Sequence, residues 1–138
     1  MRPATASVVT RVEVFNDSDI VAARMYGREL AVQMGFPSGP ATLIATAISE
    51  LARNILLYAH RGEITLTPLR VASRRGLMVV ARDQGPGIPD VDRALQDGYS
   101  TSGRLGLGLP GVRRLVDEFS LETRSGQGTT VVVKKWTD

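Results

Sequence analysis

The chain contains no cysteine and a single histidine, His60, in 138 residues. The first absence excludes disulfides and thiolate metal sites, so the chain can work in a reducing cytoplasm. The second excludes a multi-histidine metal centre and argues against a histidine-based triad. His60 reads instead as a helix-end residue beside the carbonyl-rich terminus. Aromatic residues are only 5% of the chain and do not interleave with the basic ones, as a stacking platform for nucleic acid requires. Seventeen Lys and Arg residues give a net charge of +3, but they are scattered, and only Arg74-Arg75, Arg113-Arg114 and Lys134-Lys135 are adjacent. No apolar run approaches the roughly 20 residues that span a bilayer, and the N-terminal residues lack a signal-peptide core. The expectation is a cytoplasmic protein with neither a membrane nor a nucleic acid as partner. Its charge suits an acidic or phosphorylated partner, or a nucleotide.

What is present is a globular composition, 43% hydrophobic and 22% charged, in a length that fits one domain. Ser7 to Phe15 alternates apolar and polar residues and predicts a half-buried strand. Asn16-Asp17-Ser18-Asp19 offers several N-caps for a helix from about Ile20 to Met34, closed by Gly35. Ser38-Gly39-Pro40 opens a second helix to about Tyr58, with Leu43, Ile44, Ala47, Ile48, Leu51 and Ile55 as its buried stripe. Strands follow near residues 62–71 and 76–83. The latter is apolar enough to lie centrally in a sheet, and Pro68 puts the former at an edge or a bulge. A helix near residues 109–118 and strands near 120–124 and 129–136 complete the pattern. It predicts a two-layer α/β sandwich with helices on one face of a mixed sheet.

Three segments carry candidate chemistry. In "ISELARN" (residues 48–54), Glu50 and Asn54 are four apart and share a helix face. They suit a general base beside an oxygen ligand for a hard cation such as Mg²⁺, or a solvated face on which Glu50 pairs with Arg53. In "ARDQGPGIPD" (residues 81–90), Asp83 ends a strand before Gly85 and Gly87, and reads either as ordinary turn chemistry or as an acceptor for a ligand's N–H. In "STSGRLGLGLPG" (residues 100–111), Gly103, Gly106 and Gly108 precede a helix. They form either an anion-binding loop or a flexible connection, and match neither a P-loop nor a dinucleotide fingerprint.

Taken in order, these segments, with Gly128-Thr129 opening the last strand, resemble the GHKL superfamily of histidine kinases, gyrase B, Hsp90, MutL and the anti-sigma serine kinases. The resemblance runs from about Thr10 to Trp136 and implies the Bergerat ATP-binding fold in a single domain, residues 1–138. It implies that Asp83 recognises the adenine amino group, with Gly85, Gly87 and Ile88 close to the base and Thr129 supporting it by its hydroxyl or a bridging water. Asn54 would help bind Mg²⁺, Glu50 would act as general base, and Arg53 would lie near the phosphates. Ser102, Gly103, Arg104, Leu105, Gly106, Leu107 and Gly108 would shape the lid over ATP.

From the compact length the expectation is a branch other than the histidine kinases, with their phosphoacceptor helix, or gyrase B and Hsp90, with their extra domains. The phrases "DIVAARMYGRELA", "ISELARNILLYA", "DQGPGIPDVDRALQDGYSTSG" and "GLGLPGVRRLVDEFSLETRSGQGT" resemble serine/threonine switch kinases of the stressosome. The resemblance implies phosphorylation of STAS-domain partners, RsbS-like and RsbR-like, and then activation of an RsbU-like PP2C phosphatase. Arg104 departs from the glycine expected there and resembles an arginine of the RsbW and SpoIIAB anti-sigma kinases, and Leu107 makes the loop bulkier. An anti-sigma kinase and a non-catalytic, nucleotide-gated binding module are the alternatives. Arg24, Arg28, Arg113 and Arg114 form either a basic docking face or solvated helix surface.

Overall fold

A computed structural model describes residues 5–6, 9–88 and 108–137. In chain order the elements are β1 (Thr5–Ala6), β2 (Thr10–Val14), α1 (Asp17–Gln33), α2 (Ser38–Ala59), β3 (Gly62–Val71), β4 (Arg74–Asp83), α3 (Gly108–Leu115), β5 (Glu118–Arg124) and β6 (Gly128–Trp136). The expected two-layer α/β sandwich is present, with a core of Val12, Val14, Ile44, Ile48, Leu51, Ile55, Ile64, Leu66, Leu77, Val79, Val131 and Val133 between the helices and one sheet face.

The sheet runs β1-β3-β4-β6-β5, with β2 also paired to β3. It departs from the mixed sheet expected, because every ladder among the described residues is antiparallel. The reason lies in the connections. Two helices, α1 and α2, return the chain to the end of β2, so Val14 pairs with Gly62 and β3 runs the opposite way. β4 and β5 do run in one direction, linked through α3, but β6 inserts between them. β4 is central, as its apolar run suggests. β3 is not an edge strand: among the described residues β2 pairs with it from Gly62 to Leu66 and β1 at Leu69 and Arg70, while on its other side Pro68 lies opposite Leu77 of β4.

Local chemistry explains the helix limits. Asn16 accepts from Asp19 N–H while the Asp19 carboxylate accepts from Asn16 N–H, a capping box that starts α1 three residues before the expected Ile20. At the other end Gly35, at φ +98°, lets Gly35 N–H reach Val32 O and Phe36 N–H reach Ala31 O, each at 3.0 Å. This is a Schellman stop, with buried Phe36 as its apolar clasp. The expected stripe of α2 is buried except for Leu43, which faces outward, while Ala41, Ala45 and Ala52 join the buried face. α1 approaches α2 closely because Gly27 lies where a Cβ would collide with Ile48. His60 ends α2 in the left-handed region, at φ 68°, as the helix-end reading anticipates.

The register brings the candidate residues to one end of the sheet. Asp83, the last residue of β4, pairs with Gly62 on one side and Thr129 on the other, and Thr129 pairs in turn with Thr123.

Candidate nucleotide-binding site

Asp83 lies on the same face of β4 as Leu77, Val79 and Ala81, the face packed on the helices, and is only 7% exposed. A buried carboxylate needs hydrogen bonds, and Oδ1 receives two, from Gly85 N–H at 2.9 Å and Thr129 N–H at 3.3 Å. Oδ2 accepts none among the described residues. Burial raises the pKa of Asp83 above the ordinary aspartate value, and the two N–H donors partly oppose that rise. Of the two readings of this residue, the turn chemistry is the one these bonds display. The Gly85 bond is Asx-type turn chemistry, and the second oxygen is an acceptor left over.

The glycines around Asp83 are required by close approach. A Cβ on Gly85 would lie 2.5 Å from the Ala59 Cβ at the end of α2. Gly87 has φ +86°, and a Cβ there would meet Arg124 O at 2.8 Å. Gly128 combines φ +104° with a position where a Cβ would overlap the Asp83 carbonyl and come within 2.8 Å of Gln84 Cα. The segment after β4 is also bonded to the β5–β6 end, through Gly126 N–H to Pro86 O at 2.9 Å and Ile88 N–H to Thr123 Oγ1 at 2.9 Å. Thr123 Oγ1 lies 2.9 Å from Thr129 Oγ1.

On α2, Glu50 and Asn54 share one face as their spacing requires. The Glu50–Arg53 pair forms, with Arg53 Nη1 donating to Oε1 at 2.7 Å. The face is not solvated, however, since the Glu50 side chain is 11% exposed. Its Oε2 accepts Gly108 N–H, at the start of α3, at 3.3 Å. Both carboxylate oxygens are thus held, one by a cation and one by the helix that follows the glycine-rich loop. Asn54 is half-buried, and its carboxamide has no hydrogen-bond partner among the described residues.

Of the expected site residues, Glu50, Arg53, Asn54, Asp83, Gly85, Gly87, Ile88, Gly108 and Thr129 lie along α2, the end of β4 and the adjoining starts of α3 and β6. Ser102, Gly103, Arg104, Leu105, Gly106 and Leu107 lie outside the described residues. Arg24, Arg28, Arg113 and Arg114 are all exposed, with Arg28 donating to Ser38 Oγ at 3.3 Å. Sequence reasoning misses Thr123 and the steric part of Gly128. The signal for Thr123 is its place in the alternation of Phe119, Leu121 and Thr123, where a third apolar residue is expected. The described residues contain no cluster of three or more His, Asp or Glu able to hold a metal ion. They also contain no helix long and apolar enough to cross a membrane.

Residues 39–137 match the family described as "Histidine kinase-, DNA gyrase B-, and HSP90-like ATPase". The chain is 51% identical over 125 residues to the serine/threonine-protein kinase RsbT of Bacillus subtilis (strain 168), covering 91% of this chain and 94% of that one. It is 30% identical over 97 residues to an anti-sigma F factor of Caldanaerobacter subterraneus subsp. tengcongensis, covering 67% and 68% of the two chains. A solved structure of the RsbU and RsbW domains of a Mycobacterium tuberculosis protein superposes with a TM-score of 0.61 at 18% identity, over 94% of this chain and 32% of that longer one. The catalytic domain of the histidine kinase ThkA, in a nucleotide-free form, superposes with a TM-score of 0.52 at 18% identity, over 93% and 96% of the two chains. The chain belongs to the histidine kinase-, DNA gyrase B- and HSP90-like ATPase family.

Proposed function

We propose that this protein is an ATP-dependent serine/threonine protein kinase that acts as a switch by phosphorylating STAS-domain partners. The observation that carries the reading is the Asp83 carboxylate, buried at a strand end with one oxygen anchored to backbone and the other uncommitted among the described residues. An exocyclic amine is a donor, and an acceptor-only carboxylate is its complement. Thr129, tied to the same carboxylate through its N–H, sets the second edge of the base. The 51% identity to a named serine/threonine-protein kinase, over nearly all of both chains, supports kinase rather than simple ATPase activity.

Glu50 is the proposed general base. It lies on the face of α2 that also carries Asn54 and would take the proton of the acceptor hydroxyl as the terminal phosphoryl group is transferred to that oxygen. Each carboxylate oxygen has a further lone pair beside the one bond it now accepts, so Glu50 can take that proton in place, and Arg53 beside it would face phosphate. The residues fit Mg²⁺ in the usual manner for nucleotide sites. Asn54 offers one uncommitted oxygen, and the absence of an acidic cluster among the described residues leaves the remaining positions to phosphates and water. The ion would supply charge neutralisation on the phosphates.

The partners follow from likeness to the switch kinases: RsbS-like and RsbR-like STAS proteins as substrates and, after release, an RsbU-like PP2C phosphatase as the activated target, all in the cytoplasm. A second reading, an anti-sigma kinase of the RsbW and SpoIIAB type, draws support from Arg104 and from the 30% identity to an anti-sigma F factor. The test is incubation with terminally labelled Mg-ATP and candidate STAS proteins of the same genome. The switch reading expects label on a Ser or Thr of a partner, lost with Glu50→Ala and with Asp83→Asn. ATP binding without label on any STAS protein, combined with capture of a sigma factor, would favour the second reading.

A further inference from the structure

One hydroxyl at the base-binding end of the site touches three residues on two separate pieces of chain. Thr123 Oγ1 accepts Ile88 N–H at 2.9 Å, lies 2.9 Å from Thr129 Oγ1, and lies 3.4 Å from Gly128 O. A hydroxyl carries one hydrogen and two lone pairs. Ile88 N–H can only donate and Gly128 O can only accept, so two arrangements remain. Either Thr123 donates to Gly128 O and accepts from Thr129, or it donates to Thr129 and leaves the Thr129 hydrogen to point elsewhere. In both, Thr123 restrains the Thr129 oxygen and the Ile88 backbone at once. The contact is sterically close as well, since a Cβ on Gly87 would lie 3.1 Å from Thr123 Oγ1. No apolar residue of the same shape can make these bonds.

The geometry points to Thr123 as a positioning residue for adenine binding. It acts through Thr129 and Ile88, locking the segment after Asp83 onto the start of β6 so that the Asp83 carboxylate and the Thr129 hydroxyl face the base at a fixed separation. This inference rests on the reading of Asp83 and Thr129 as the base-binding pair. It differs from that reading in naming a residue one strand further out, on β5, which sets the geometry of the pair. Because the effect is on the base end, losing the hydroxyl weakens ATP, ADP and AMP by a common factor. A residue of the phosphate end, such as Asn54, affects ATP most.

The experiment is calorimetric titration of the full chain, unsubstituted and as Thr123→Val, Thr123→Ser and Thr123→Ala, with ATP, ADP and AMP, beside steady-state kinetics. Thr123→Val is expected to raise Kd for all three nucleotides by about tenfold, corresponding to about 1.4 kcal/mol. KM for ATP should rise while kcat at saturating ATP stays within about twofold, and Thr123→Ser should restore near-normal affinity. Thr123→Ala repeats the test if the valine variant gives little folded protein. Normal affinity in the valine and alanine variants overturns the inference, as does a loss confined to ATP. A serine variant as weak as valine overturns it too, by showing that the hydroxyl is not the operative group. Failure of the unsubstituted chain to bind any adenine nucleotide is a separate outcome that removes the nucleotide reading itself, and this inference with it.

Discussion

Replacing Asp83 with Asn separates recognition from folding. In the native chain Oδ1 accepts Gly85 N–H at 2.9 Å and Thr129 N–H at 3.3 Å. A carboxamide oxygen can keep both bonds. The change falls on the other position, where an acceptor oxygen becomes an NH₂ donor at the place proposed for the adenine amine, itself a donor. Losing a hydrogen bond to a charged acceptor costs about 1.5–3 kcal/mol, so Kd for ATP should rise by about 10- to 150-fold. The fold should not suffer, because the native carboxylate is only 7% exposed and burial of its charge works against it. Calorimetric titration and thermal melting at neutral pH check the two halves together: affinity should collapse while Tm stays level or rises. An Asp83→Asn variant that binds ATP within twofold of the native chain would refute the assignment of Asp83, and a Tm lower by several degrees would refute the account of its burial.

The same carboxylate predicts pH dependence. Its pKa lies above the ordinary value, so ATP affinity should fall on acidification at a pH higher than the roughly 3.9 of a free aspartate. With the folded value raised, protonation favours the folded state at low pH, and this contribution is lost as pH rises through that value. The stability gap between native protein and Asp83→Asn should therefore narrow on acidification, which melts across a pH series would register. Gly128→Ala should lower Tm by several degrees, since a positive φ and overlap with the Asp83 carbonyl act together; an unchanged melt would contradict the packing described. Asn54→Ala should weaken Mg-ATP by about tenfold but AMP by less than about twofold, and equal losses for both nucleotides would remove Asn54 from the phosphate end.

Much of this site is legible in the sequence because its constraints are local. Strand-end Asp83 followed by Gly85 and Gly87, and the four-residue spacing of Glu50 and Asn54, are fixed by secondary structure alone. Helix and strand order follows from periodicity, and the Asn16 and Gly35 caps from residue type. What is not legible depends on contacts distant in sequence. The sheet is antiparallel because β6 inserts between β4 and β5, and nothing in any one strand states this. Leu43 looks like core by spacing, but α1 covers only part of α2. Gly108 bonds Glu50 across 58 positions and Thr123 bonds Ile88 across 35, so neither contact emerges until the layers are assembled.

The central claim is that this family's ATP site, as present in this chain, passes phosphate to a protein hydroxyl with Glu50 as base. Glu50→Gln keeps an oxygen able to accept one of the two bonds now made to Arg53 Nη1 and Gly108 N–H, and it removes the basic carboxylate. The decisive measurement is ATP affinity and single-turnover transfer to a STAS partner on that one variant. The account predicts near-native ATP affinity with transfer slowed at least about 100-fold, at the low end of what a positioned base contributes. Transfer at the native rate from a variant that binds ATP normally would contradict it.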